Sequence, residues 1–368
     1  MLQGLSTGTI HATRNEGQEV EKTLSNDELP TGRPPTMVDV GALAGVSLKT
    51  VSRVINRDPT VSPEIAGRVR RAVELLDYRP NRAATTLRRT DRKTATVGLL
   101  LEDVANPFSS AIHRAVEDVA GERGMLVFAG SSDEDPERER EVLAAFVSHQ
   151  VDGLIVASSE GGHGIFLIER RRTGLPVVFL DRPGAIPQTD SVTVDNRVGA
   201  SAAVRHLVAH RHRRIAFLGD LHSIWTAAER ERGYLDGLAL AGIPPDPRII
   251  RRDLHDGEVA EAAVADLLSS AEPPTALFTG QNLITIGAVR ALRRLELRHR
   301  VALIGFDDVQ LADLLDPPVS VVAQDPSAVG STAARLLLRR LEGDDSPPQH
   351  VVIHTRLVAR GSGEIPPG

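Results

Sequence analysis

Residues 36–56 read TMVDVGALAGVSLKTVSRVIN, and the punctuation of this stretch sets the fold of the amino-terminal part of the chain. Thr36 followed three residues later by Asp39 is a capping-box pattern, in which each side chain satisfies a helix-end N–H of the other. A helix is predicted over 37–44. Gly45 and Val46 break it, Ser47 supplies a second cap, and a second helix is predicted over 48–56. Two short helices joined by a glycine-containing turn read as helix-turn-helix. After Asp58-Pro59, Ser62-Pro63 opens a third helix with Pro at its first turn, where a missing N–H does no harm. Ile65, Val69, Ala72, Val73 and Leu76 then recur at helical spacing. With Val40, Val51, Val54 and Ile55 they form the core of an all-α head over residues 36–80.

The second helix has two faces. Lys49 and Arg53 stack one turn apart, as do Leu48 and Ser52, while Val51, Val54 and Ile55 point to the other side. A DNA major groove accepts such a face, since Lys and Arg donate to guanine O6/N7 and Thr, Ser or Leu touch the backbone or a thymine methyl. The charge distribution agrees. Residues 33–93 carry 13 Lys/Arg against 6 Asp/Glu and the remaining residues 30 against 43, within a net charge of −6. A basic module on an acidic body points to a polyanion partner for the module alone.

Ahead of the head, residues 1–35 show no apolar period and read as a flexible arm. Beyond Thr94 the pattern becomes short apolar runs alternating with amphipathic segments. Strands are predicted over 95–101, 125–129, 153–157, 177–180, 215–219, 276–279 and 301–305. Helices are predicted over 109–123, 136–149, 198–209, 227–241, 259–269, 283–295 and 328–341. This alternation implies parallel sheets with helices on both faces, and residues 94–360 are too many for one such sheet, so two α/β lobes are expected. Ligands of such sheets bind at the carboxyl ends of the strands, here in the cleft between lobes.

Several function classes are excluded. The 368 residues are 41% apolar and 25% charged, with no cysteine, so disulfides, thiolate zinc sites and a cysteine nucleophile are impossible. No apolar run approaches the roughly 18 residues that span a bilayer, and no signal-peptide core precedes the head, so a cytoplasmic protein without membrane contact is expected. An enzyme on the same alternating fold would need a phosphate loop, a G-x-G-x-x-G, an H-E-x-x-H or a G-x-S-x-G elbow, and none is present. His206, His210 and His212 are the nearest approach to a metal cluster, but they read as polar residues at a helix end. No metal, cofactor or catalytic residue is expected. A binding protein that ignores DNA would leave residues 36–89 unexplained.

Val38-Asp39-Val40, Ala44 to Ser47, Thr50 to Asn56 and Tyr78-Arg79-Pro80-Asn81-Arg82-Ala83-Ala84 resemble, at the right spacing throughout, the head-piece of the lactose repressor (LacI/GalR) family of bacterial regulators. The resemblance implies that Leu48 and Lys49 read bases, that Arg53 is shared between base and backbone, and that Thr50, Ser52 and Asn56 anchor phosphates. It also implies a hinge helix and linker over 81–93, with Asn81, Arg82 and Ala84 at the DNA and Leu87 wedged into a central minor-groove step. Two hinge helices lie together, which implies a homodimer on a roughly palindromic double-stranded operator. Asn106-Pro107-Phe108, Ser131 to Pro136, Val151-Asp152-Gly153, Asp190 to Asn196, His212 to Phe217 and Gly305 to Asp308 are similar to landmarks of that family's sensor, itself like the periplasmic sugar-binding proteins. The implied lobes are 94–194 with 326–343 and 195–323 with 349–360, crossing near 194–196 and 323–326, with a tail over 361–368.

Asp181 and Asp307 each end an apolar strand, where a carboxylate accepts from sugar hydroxyls. Arg230 matches the family's ligand-binding arginine and can donate in a fork. Gln281, Phe108, Ser158, Trp225 and His255 complete the candidate set, and Trp225 can either stack on a sugar face or fill a lobe. Gln281-Asn282 stands where many members carry Asn-Asp, and Pro326 replaces an aromatic. The expected function is a DNA-binding regulator, a repressor, controlled by a small-molecule effector that is a sugar or sugar derivative, with a nucleoside, purine or other non-sugar effector as the alternative.

Overall fold

Capping chemistry starts the helices of the head. In a computed structural model of the chain, residues 33–55, 58–79, 94–159, 169, 172–184 and 189–368 are described in full, and 10–13 and 19–22 by their backbone. Helix α1 (Met37–Ala44) begins with both bonds of the Thr36/Asp39 capping box and ends on Gly45 in the left-handed region, φ 64°. Arg33 also forks onto Asp39, at 2.9 and 3.0 Å. Helix α2 (Leu48–Ile55) follows after two residues. Helix α3 (Pro63–Leu75) is capped by Ser62, whose hydroxyl accepts from the Ile65 N–H, and has Pro at its start. Val40, Ala44, Val51, Val69, Ala72 and Tyr78 bury between the three helices. The core is small, as a head of this size allows, so each contact is a large share of its stability.

Within the segment expected to be a structureless arm, Ile10–Thr13 (β1) pairs antiparallel with Glu19–Lys22 (β2). Four-residue strands are too short to register as a period in the sequence. Residues 1–92 form one unit and 93–368 a second.

The second unit has two lobes, each a six-stranded sheet. The first sheet runs β13-β7-β6-β5-β3-β4, from β3 (Thr96–Leu101), β4 (Leu126–Ser131), β5 (Gly153–Val156), β6 (Val177–Leu180), β7 (Asp190–Val194) and β13 (His350–Ile353). All its pairings are parallel. The second runs β14-β12-β11-β10-β8-β9, from β8 (Ile215–Leu218), β9 (Ile250–Arg251), β10 (Ala276–Thr279), β11 (Ala302–Phe306), β12 (Ser320–Ala323) and β14 (Arg356–Val358). It is parallel except for β14. Helices α4 (Pro107–Glu122), α5 (Pro136–Ser148) and α10 (Pro326–Leu341) cover the first sheet, and α6 (Asn196–Ala209), α7 (Trp225–Leu240), α8 (Gly257–Leu268) and α9 (Asn282–Arg294) the second.

Helices α4, α8, α9 and α10 begin one or two residues before the apolar period announces them, where Asn106, Asp256, Gln281 and Asp325 cap them with side-chain acceptors, and α5 begins at the predicted Pro136, capped by Asp135. Close packing needs glycine where helix meets helix. A Cβ on Gly233 would stand 2.2 Å from the Arg197 carbonyl oxygen, so α7 lies directly on α6.

Two lobe boundaries differ from the sequence reading. Residues 350–353 are β13, paired with β7 in the first lobe, so the chain crosses between lobes a third time before β14. The segment read as a tail is bound into the second lobe. Ser362 is buried, its hydroxyl donates to the Leu303 carbonyl and accepts from the Ser320 N–H, and the Ile365 carbonyl meets His212 Nε2 at 2.7 Å. Asp195 ties two crossings together, accepting from the Thr355 N–H and hydroxyl at 2.7 Å and from His354 Nδ1 at 2.9 Å. Burial works against its charge, but these hydrogen bonds outweigh it and hold the carboxyl below the usual range.

Candidate functional site

In the head, α2 buries Val51 and turns Val54 and Ile55 to the core, leaving Leu48 and Lys49 exposed. Ser47 caps the helix, accepting from the Thr50 N–H at 3.3 Å, and the two hydroxyls lie 3.0 Å apart. Ser52 is half-buried. Arg53 does not extend freely: its Nε donates to Asp58 at 2.9 Å and its Nη2 to Thr60. Thr60 and then Arg53 hold the Asp58 carboxyl far below its ordinary pKa. Arg68, which sequence reasoning passed over, donates to the Ala44 and Gly45 carbonyls and ties α3 to the turn before α2. No single-residue signal marks it. Asn56, Asn81, Arg82, Ala84, Leu87 and the expected hinge helix lie outside the described residues.

In the sensor, polar side chains follow the carboxyl ends of strands from both sheets: Glu102 after β3, Asp181 and Arg182 after β6, Asp220 after β8, Gln281 after β10, Asp307 after β11 and Gln324 after β12. Asp181 and Asp307 both sit at positive φ, 64° and 71°, where the chain turns away from the sheet. Arg230, on α7, is buried: its Nε donates to Asn196 at 2.8 Å and its Nη1 to the Gly280 carbonyl at 2.7 Å. Its guanidinium lies 4.0 Å over the Phe306 ring, and Nη1 is 3.7 Å from Asp307. Gln324 also donates to Asp307. Burial raises the Asp307 pKa, with Arg230 and Gln324 pulling the other way.

Gln281 caps α9 with its carbonyl and donates to Asp220 at 3.1 Å. His255 Nδ1 meets Asp220 at 2.8 Å, and this pairing pushes the imidazole up to about 9. Burial and the nearby Glu134 and Asp220 charges push the Glu102 carboxyl up to about 7. Arg182 forks onto Glu134. Across the cleft the two lobes are joined by a reciprocal pair between Asn106 and Asn282, at 2.8 and 3.4 Å. Three buried polar atoms of this region, Asp181 Oδ1, Arg182 Nε and Gln324 Oε1, have no hydrogen-bond partner among the described residues.

Other candidates fall elsewhere. The Ser158 hydroxyl donates to the fully buried Glu139 at 2.8 Å, which also takes the Ser159 N–H and hydroxyl. Phe108 packs against the first-lobe core, and Trp225 is the half-buried first residue of α7. His206, His210 and His212 bond to Glu364, the His206 carbonyl, and Thr275 with Ile365 respectively. Sequence reasoning missed Asn196, Asn282, Gln324 and Glu102, although each stands at a strand end or helix start, the position that signalled Asp181.

Residues 36–81 match the profile of the bacterial regulatory proteins, lacI family, and residues 204–363 that of the periplasmic binding protein-like domain. The HTH-type transcriptional regulator CelR of Thermobifida fusca is 34% identical over 343 residues, 90% of this chain and 99% of that protein. The chain belongs to the lacI family. Among solved structures, this lacI-family member is similar to the lac repressor dimer bound to operator and the anti-inducer ONPF, at 26% identity and a TM-score of 0.80 over 90% of this chain and 99% of that one. It is also similar to a CelR–cellobiose complex, at 32% identity and 0.66 over 89% and 99%. The lacI-family chain is therefore a DNA-binding transcription regulator with an effector domain, not an enzyme. None of its described helices is long and apolar enough to cross a membrane.

Proposed function

We propose that the chain is a cytoplasmic repressor that binds a roughly palindromic operator as a homodimer and changes its operator affinity when a sugar or sugar derivative enters the cleft. The observation that carries the effector reading is the pair of buried acceptors, Asp181 Oδ1 and Gln324 Oε1, left without donors among the described residues beside a buried Arg230–Asp307 contact. Unpaired buried acceptors are unfavourable, and a polyhydroxy ligand brings the missing donors. Phe108 is engaged in a lobe core, which favours a sugar over a flat base that needs a stacking partner. The relative carrying cellobiose supports the same class.

The switch follows from three crossings that allow the lobes to reorient. Residues 81–93 order on DNA in one lobe arrangement, with Leu87 in the minor groove and Asn81, Arg82 and Ala84 at the DNA. Carrying the population from 99:1 to 1:99 needs an effector that prefers one arrangement by about 10⁴-fold. Leu48 and Lys49 read bases, Thr50, Ser52 and Asn56 hold phosphates, and Arg53 joins them after leaving Asp58.

Selection of the full chain on a random duplex pool tests the reading. The enriched sites are expected to be near-palindromes, and Lys49→Ala is expected to relax one symmetric pair of positions at a loss of about 1–3 kcal/mol. Enrichment of asymmetric sites, or unchanged selectivity in Lys49→Ala, would refute it.

A further inference from the structure

We propose that the effector is a monosaccharide bearing a free amine, whose protonated nitrogen lies between Glu102 of the first lobe and Asp220 of the second. This rests on the effector reading above and names the chemistry of that ligand.

The argument starts from unmatched groups. Among the described residues Asp181 Oδ1 and Gln324 Oε1 are acceptors without donors, which hydroxyls can supply. Glu102 is a different case. Its carboxylate makes no hydrogen bond with the described residues, and one of its oxygens, one Asp220 oxygen and a His255 ring nitrogen all lie within 4.8 Å of one another. Asp220 is held in place by three donors: the Leu221 N–H at 2.7 Å, His255 Nδ1 at 2.8 Å and Gln281 Nε2 at 3.1 Å. The nearby Arg182 is already forked onto Glu134. Glu102 therefore faces a second carboxylate; the two cations that act on it, Arg182 and the His255 imidazolium, are each hydrogen-bonded to another carboxylate, Glu134 and Asp220 respectively, and burial with the Glu134 and Asp220 charges outweighs their pull and raises the Glu102 pKa.

An ammonium reaches carboxylate oxygens at about 2.8 Å, so one nitrogen lying between Glu102 and Asp220 bonds both. A divalent metal at about 2.1 Å from all three groups would first have to remove the proton that joins His255 to Asp220. Because Glu102 and Asp220 belong to different lobes, the ammonium also turns a repulsion across the cleft into an attraction. Recognition and lobe closure then come from one contact, and binding releases the proton held on Glu102 at neutral pH.

The test uses the full chain and calorimetric titration at pH 7 with glucosamine, galactosamine and mannosamine, each beside its N-acetyl form and its parent hexose. At least one amine is expected to bind about tenfold or more tighter than both its counterparts, as a charge-assisted contact requires. Its apparent enthalpy is expected to vary with the buffer's ionisation enthalpy in the sense of proton release. Glu102→Gln, and in parallel Asp220→Asn, are expected to bring the preference within about threefold, with thermal melts reporting that the variants fold. A parent hexose that binds as tightly as its amine overturns the amine while leaving the sugar-sensor reading intact. Preference surviving in Glu102→Gln, loss of binding on adding EDTA, or no binding by any of the three amines also overturns the assignment.

Discussion

Replacing Arg230 by Met isolates the electrostatic centre of the sensor. The side chain is of similar length, so the change removes the guanidinium from above Phe306, leaves Asn196 and the Gly280 carbonyl without their donor, and removes the cation that lies 3.7 Å from Asp307. Breaking a buried ion pair from one side costs about 3–5 kcal/mol, because the remaining charge stays desolvated. Asp307 already has a raised pKa from burial even with Arg230 present, and without it the carboxyl moves further up. The sign follows from linkage: an acid whose folded pKa lies above its unfolded value destabilises the fold as pH rises through the folded pKa. Arg230→Met is therefore expected to lose about 3–5 kcal/mol at pH 8 and progressively less as the pH is lowered and Asp307 takes a proton. At about 2–4 °C per kcal/mol the sensor transition at pH 8 falls by roughly 6–20 °C. Trp225, the only tryptophan, lies on the same helix as Arg230 and reports the melt by fluorescence. The double variant Arg230→Met/Asp307→Asn is expected to recover much of the loss at pH 8, a coupling that a double-mutant cycle measures. A loss independent of pH, or no recovery in the double variant, would refute the reasoning.

Three further outcomes are expected. Gly45→Ala places a methyl at φ 64° and 2.7 Å from Arg68, and is expected to lower the head's own stability by about 1–2 kcal/mol, read by circular dichroism melting of the full chain. Gly233→Ala sets a methyl 2.2 Å from the Arg197 carbonyl, forcing α6 and α7 apart at about 1–3 kcal/mol or more, seen as a drop in the sensor transition. The His255–Asp220 pair stabilises the protonated imidazole, raised to about 9. Its contribution is full below the unfolded histidine value of about 6.5 and is lost as pH rises through 9. Nuclear magnetic resonance titration of His255 is expected to give a midpoint near 9 in the parent and a lower one in Asp220→Asn.

The sequence alone determined the parts of this protein whose signal is local. Thr36 with Asp39, Gly45 and Ser62-Pro63 are helix-end chemistry that works within a few residues, so the three helices of the head and their order were legible before any contact was known. The alternation of apolar runs with amphipathic segments likewise announced two α/β lobes, since burial on both faces of a strand or one face of a helix imprints a period. Among the described residues of the lobes, five strands were missed: β9, β13 and β14 are short strands at sheet edges, whereas β7 and β12 lie inside the sheets but mix Ser, Thr or Asp with Val in runs of four or five residues, and 361–368 is bound by hydrogen bonds to Ser320, Leu303 and His212 that no pattern encodes.

The candidate site divides in the same way. Asp181, Arg230 and Asp307 were legible because each ends a strand or sits in a motif, but their partners were not. The facing of Asn106 and Asn282, 176 residues apart, the engagement of Ser158 by Glu139, and the placement of Glu102 beside Asp220 are decided only when separate strands end at one cleft. A carboxylate's chemistry depends on the charges within a few ångströms of it, and it is the sheet order of two lobes, rather than any neighbour in sequence, that chooses those charges.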